Sequence, residues 1–205
     1  MLIAYFSMFL DHIGIVFFPT IQIFRIIGRL SFPLFAWGIA RGYKNTRNFE
    51  KYVIRILLLA LLSQIPYTML FNSYEPNICF SLLIGLIILR LYDSNYSLYI
   101  KVLSIILLLF ISEYFDFQYG IYGIITIFIF YYFWNKESVI YYQSILTLIS
   151  IFVYRYDPIQ LFASFSPFLI LLLNKYDFKL NRFLQYSLYP LHLLILFFLK
   201  NGGIL

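Results

Sequence analysis

Four ionisable residues lie deep inside apolar runs of a chain that otherwise keeps most of its charges in short polar joints: Asp11, His12, Arg29 and His192. A histidine near a carboxylate and a guanidinium suits general base work on an amine or a hydroxyl. The arginine is then available to stabilise an oxyanion or to hold an anionic substrate. Asp11, His12 and His192 are also of types that ligate metals, but nothing supplies a fourth ligand, and no metal site is expected. Other signatures of catalysis are missing: there is no Gly-x-Ser-x-Gly elbow, phosphate-binding loop, Gly-x-Gly-x-x-Gly or His-Glu-x-x-His. Cys79 is the single cysteine, which removes internal disulfides and cysteine-based metal sites.

The elements that must position these residues are apolar helices. The 205 residues are 62% hydrophobic and 12% charged, about half the ~25% charge of a soluble domain, and the mean hydropathy is +0.85. A membrane-crossing helix needs about 20 apolar residues, within a range of about 17 to 25. Runs that approach this length occur at Leu2–Phe18, Ile21–Ala40, Tyr52–Phe71, Ile78–Tyr92, Leu98–Ser112, Tyr119–Trp134, Val139–Tyr154, Ile159–Leu173 and Phe183–Leu199. They predict an all-α fold, a polytopic transmembrane bundle of about nine spans in a single integral membrane domain over residues 1–205. Continuous runs such as Ile105 to Phe110 lack the alternation of an outer-membrane strand. No basic region precedes the first apolar run, so a cleaved signal peptide is not expected.

The net charge of +6 is scattered between apolar runs rather than gathered in a groove with interleaved aromatics, so membrane lipid, not nucleic acid, is the expected partner. Alternate joints divide the charges. One set carries Arg41, Lys44, Arg47, Lys51, Arg90, Lys101, Lys136, Lys175, Lys179 and Arg182; the other carries Glu75, Glu113, Asp116 and Asp157, with Arg155 and Lys200. The basic set predicts a cytoplasmic face and hence a cytoplasmic N-terminus. Many Tyr residues near the ends of apolar runs read as interfacial anchors.

Depth isolates the four residues from this background. At about 1.5 Å per residue, Asp11 and His12 lie roughly 15 Å into the first span. His192 is ten residues beyond Arg182, and Arg29 lies near the middle of the second span. A charge at that depth costs at least ~2.5 kcal/mol, so each should face the bundle interior or a wet cavity. Neighbours on a helix point about 100° apart, so Asp11 is better placed to hold Arg29 or His192 than His12. Gly14 could admit a close helix crossing. Pro33 frees the Arg29 carbonyl, Pro190 frees that of Tyr186, and Pro66, beside Gln64, is a third candidate distortion.

Met8-Phe9-Leu10-Asp11-His12-Ile13-Gly14, followed by Gly28-Arg29-Leu30-Ser31-Phe32-Pro33-Leu34-Phe35-Ala36, resembles the opening of the TraX family. Arg41-Gly42-Tyr43-Lys44-Asn45-Thr46-Arg47-Asn48, Tyr52 with Arg55, and Ser63-Gln64-Ile65-Pro66-Tyr67 continue the likeness. So do Tyr119-Gly120-Ile121-Tyr122-Gly123 and Tyr186-Ser187-Leu188-Tyr189-Pro190-Leu191-His192-Leu193, while residues 138–178 match mainly in hydropathy. The resemblance implies a bacterial inner-membrane acetyltransferase. TraX proteins acetylate the N-terminus of the conjugative F-type pilin subunit, and they are similar to polytopic acyltransferases that use acetyl-CoA. It implies catalytic roles for Asp11, His12, Arg29 and His192, and substrate or cofactor contacts from Arg55, Gln64, Arg41, Lys44, Arg47, Tyr119 and Tyr189. The acceptor would be a pilin-like or other peptide N-terminus, or another envelope acceptor.

In the mechanism this implies, CoA phosphates sit near Arg41, Lys44, Arg47, Lys51 and Arg55. His12 or His192 acts as base, Asp11 tunes a histidine, and Arg29 or Gln64 holds the oxyanion. Two other classes stand beside it: a small proton-coupled permease, with the same polar plane as its substrate site, and a structural membrane subunit, in which neutralising Asp11 and Arg29 together would leave the assembly active. The lack of an internal repeat weakens the first of these.

Overall fold

The computed structural model describes residues 1–173 and 181–202. In chain order these form α1 (Leu2–Phe17), α2 (Gln22–Gly28), α3 (Ser31–Asn45), α4 (Phe49–Phe71), α5 (Ile78–Asp93), α6 (Leu98–Tyr114), α7 (Gly120–Tyr132), α8 (Ser138–Tyr154), a 3-10 helix (Pro158–Phe165), α9 (Ser166–Leu173) and α10 (Arg182–Asn201). No strand occurs among the described residues, so the fold is all-helical. The basic joint expected between α9 and α10, with Lys175 and Lys179, lies outside the described residues.

The polar joints begin the helices. Asn48 accepts from the Lys51 amide at 2.8 Å, Asn77 from the Cys79 amide at 3.0 Å, and Asp157 from the Ile159 amide at 2.9 Å. Each satisfies an amide that the first turn of a helix leaves without an internal partner. Left-handed Asn72 (φ 52°) closes α4, a conformation that Asn tolerates better than most residues. The second apolar run is not one helix. It stops at Gly28 and restarts at Ser31. Pro33 has no N–H to offer the Arg29 carbonyl, and the interruption falls at Arg29 and Leu30 for that reason. By contrast α4 and α10 run on through Pro66 and Pro190, so neither proline ends its helix. The run from Ile159 to Leu173 is also divided, with its first half wound as the 3-10 helix.

Among the described residues three helical stretches are long and apolar enough to cross a membrane: Gln22–Asn45, taken through the interruption, Phe49–Phe71 and Phe183–Asn201. Shorter apolar helices include Leu2–Phe17, Gly120–Tyr132 and Ser138–Tyr154. Among the described residues two large packed centres, with a smaller one at Ile84, Ile88 and Ile124, organise the bundle. One gathers Phe32, Ala36, Ala40, Leu86, Ile127 and Phe130 from α3, α5 and α7. The other gathers Tyr5, Met8, Ala60, Leu70, Leu193 and Leu196 from α1, α4 and α10. Ala36, Ala40 and Ala60 have almost no exposed surface, as expected where small residues let helices approach closely. On the outside lies α6, which buries only Ser112.

Candidate active site

α1 and α2 form an antiparallel hairpin around the turn at Phe18–Ile21, and two glycines set how closely they pack. A Cβ on Gly14 would overlap the Phe24 side chain, and one on Gly28 would overlap the Asp11 carboxyl. With the hairpin closed, Arg25 donates to Asp11 Oδ1 at 2.6 Å. Asp11 therefore holds Arg25, not the expected Arg29 or His192. Arg29 lies one turn further along, at the C-terminal end of α2, where its hydrogen bonds go to Tyr119 and Gln160 instead. The pair is 27% and 16% exposed, dry enough that each charge depends on the other.

His12, one residue after Asp11, faces α10. Its Nδ1 lies 2.7 Å from His192 Nε2, with the two rings 14° from parallel. His192 Nδ1 lies 2.9 Å from the Leu188 carbonyl. A carbonyl only accepts, so with both imidazoles neutral His192 Nδ1–H donates to Leu188 and its Nε2 is the acceptor. His12 must then donate from Nδ1–H, which leaves the lone pair on its Nε2. His12 lines the cavity described below, and His192, 7% exposed, stands behind it. Tyr189 packs its ring 5.4 Å from that of His192 and also lines the cavity.

Arg29 points toward α7 and the 3-10 helix. Its Nη1 donates to Gln160 Oε1 at 3.1 Å and to the Tyr119 hydroxyl at 3.4 Å. Among the described residues its Nε is buried with no partner. Tyr119 precedes α7 in a left-handed conformation (φ 63°), uncommon for a residue with a bulky side chain. Glu113 supports that turn by accepting from the Ile121 amide at 2.7 Å and from the Tyr154 hydroxyl at 3.1 Å. Phe32 stacks on the Tyr119 ring, with centroids 4.2 Å apart.

These groups share one cavity of about 810 Å³, lined among others by Asp11, His12, Arg25, Arg29, Tyr119 and Gln160. A basic nitrogen, a guanidinium and a hydroxyl facing one space can move a proton and hold a developing negative charge. No group of three or more His, Cys, Asp and Glu residues able to hold a metal occurs among the described residues.

Several expected ligand contacts lie elsewhere. Gln64 does not line the cavity. It donates to the Glu75 carbonyl at 3.0 Å and accepts from the Asn77 amide at 2.9 Å, tying α4 to the α4–α5 joint. Arg41 lies over Trp37, Lys44 over Tyr131 and Arg55 between Tyr52 and Tyr186, while Arg47 is exposed in the α3–α4 joint. None of the four lines the cavity, although Tyr52 and Tyr186 beside Arg55 do. Two residues of the polar centre escaped the sequence reading. Arg25 had one usable signal, since it is four residues from Arg29 and so on the same helix face. Gln160 had another, as an amide in an otherwise apolar run.

The fold and the centre define a helical membrane protein with an open-sided cavity in its bundle, where polar groups stand among a largely apolar lining. The chain belongs to the TraX family, whose model, described as TraX protein, matches residues 1–200. It is 29% identical over 139 residues to a probable fimbrial assembly protein FimC, serogroup H1, of Dichelobacter nodosus, covering 60% of this chain and 56% of that protein. It is 32% identical over 84 residues to an uncharacterised protein of Rickettsia prowazekii, covering 40% of this chain and 32% of that one. The chain thus spans about half, or less, of the length of these curated relatives. No solved structure matches it.

Proposed function

We propose that this chain is a membrane-embedded acetyltransferase, moving an acetyl group from acetyl-CoA to an amine, such as a pilin-like or other peptide N-terminus, or to a hydroxyl of an envelope acceptor. Membership of the TraX family and the likeness to a fimbrial assembly protein support the acceptor class. The observation that carries the chemistry is the histidine pair, whose hydrogen bonds leave His12 Nε2 as the basic atom beside the cavity. In this reading the protein sits in the bacterial inner membrane as one domain of about nine spans, with its N-terminus in the cytoplasm. The bases for these proposals are the apolar runs and the gathering of Lys and Arg in alternate joints.

The step balances as follows. A neutral amine attacks the thioester carbonyl carbon while His12 Nε2 takes its proton. The tetrahedral oxyanion is held by the unspent Arg29 donors and by the Tyr119 O–H, which accepts from Arg29 and keeps its own proton to give. Collapse breaks the C–S bond, and the thiolate leaves as CoA thiol with the proton from His12. The products are the acetylated amine and CoA. Arg55, beside the cavity-lining Tyr52 and Tyr186, is the contact assigned in this reading to the CoA phosphates.

The test is stoichiometric. Purified protein in liposomes, given acetyl-CoA and a peptide with a free N-terminal amine, should release CoA in step with acetyl-peptide measured by mass. Proton or solute flux without consumption of acetyl-CoA would replace this reading with that of a proton-coupled permease.

A further inference from the structure

The Arg29 guanidinium is held from behind by a chain of hydrogen bonds. Gln160 Oε1 accepts from Arg29, so the Gln160 amide nitrogen is the end facing Tyr122, whose hydroxyl it reaches at 3.3 Å. Gln143 Nε2 points at the same hydroxyl, also at 3.3 Å. With its lone pairs taken by these donors, the Tyr122 O–H has Thr147 Oγ1, 3.3 Å away, as its acceptor. Thr147 in turn donates to the Gln143 carbonyl at 2.8 Å. Gln160, Tyr122, Gln143 and Thr147 are all at most 2% exposed, so no water competes for these bonds and the Gln160 amide cannot flip without stranding a buried group.

We infer that Gln160 is a positioning residue for Arg29. It occupies one guanidinium nitrogen and thereby turns the remaining donors toward the place where the oxyanion forms. This rests on the acetyltransferase reading and extends it to a residue outside the motifs that carry the family likeness. Arg29 Nε and, in the backing chain, Gln143 Oε1 are buried without a partner among the described residues, so the inference stands on the Arg29–Gln160 bond and the chain behind it. The 3-10 helix is part of the device. Asp157 caps it and delivers Gln160 three residues later, with the Gln160 backbone N–H donating to the Asp157 backbone carbonyl at 2.8 Å.

The experiment is a double-mutant cycle on the full chain in liposomes, pairing Gln160→Met with Arg29→Gln. Met is close to Gln in volume and cannot accept from Arg29. Alone, Gln160→Met should lower kcat about tenfold while KM for acetyl-CoA stays within about twofold. In the Arg29→Gln background it should change kcat by less than about twofold, because its effect passes through Arg29. Losses that multiply across the cycle, or a single variant with wild-type kcat, would overturn the inference. If Gln160→Met does not fold, Tyr122→Phe takes its place in the cycle, with a smaller loss in the same direction and the same dependence on Arg29. Absence of acetyl transfer by the wild-type protein would instead overturn the acetyltransferase reading and this inference with it.

Discussion

Two polar clusters of this bundle, the half-buried one around Gln64 and the one at the cavity, differ in whether their bonds are used up. At the α4–α5 joint, Gln64 donates to Thr68 and to the Glu75 carbonyl and accepts twice from Asn77. Asn77 also donates to the Ala60 carbonyl and accepts from the Cys79 amide. The side-chain amides of Gln64 and Asn77 thus find their partners within the chain, and their work is to hold two helices together. At the cavity, Arg29 Nε has no partner among the described residues, and the histidine pair ends in a lone pair on His12. A buried polar group left unmatched costs about 1 to 3 kcal/mol. Buried atoms without a partner also occur at Ser63 Oγ, Arg55 Nε and Gln143 Oε1 among the described residues; what marks the cavity as the place for a ligand is that His12, Arg29 and Tyr119 line one open space.

That contrast can be broken at several points, and the largest effect belongs to Arg29. Arg29→Gln should lower kcat for acetyl transfer by about 10²- to 10³-fold without lowering the thermal midpoint in detergent; an equal loss of stability would make Arg29 a structural cation. His192→Ala should lower kcat by about 10- to 100-fold, because His12 loses the acceptor that selects its tautomer. His192→Gln, whose amide oxygen can still accept from His12, should recover much of that loss. Equal activity of the two variants would remove the tautomer argument.

Removing Arg25 acts on stability instead. Arg25→Met leaves the Asp11 carboxylate without its cation, an arrangement that typically costs about 3 kcal/mol. Asp11→Asn combined with Arg25→Met should restore part of it, as thermal unfolding in detergent can measure. The smallest effect is expected at the saturated cluster. Gln64→Leu should destabilise by about 1 to 3 kcal/mol with kcat per folded molecule unchanged, and a loss of kcat at constant stability would return Gln64 to the active site.

The legible parts of the molecule were those that a single helix encodes. Hydropathy outlined α4 and α5 to within a few residues, because apolar length and Asn caps are local signals. Depth arithmetic brought His12 and His192 to one level, and the 100° step between neighbours separated the paths of Asp11 and His12. What stayed hidden depends on how helices meet. Arg25 is near the start of its apolar run and looks interfacial until the α1–α2 hairpin folds it onto Asp11. Gln64 looks like a site residue within a helix, because the joint that consumes its bonds is visible only in three dimensions. The 3-10 winding that delivers Gln160 leaves no periodic mark in an apolar run.

The most direct measurement of the central claim is the single-turnover rate of acetyl transfer by wild type and His12→Ala, each shown by size exclusion and melting to be folded. The account predicts transfer by the wild type and a loss of at least about 100-fold in the variant. A folded His12→Ala protein that transfers acetyl at the wild-type rate would contradict it.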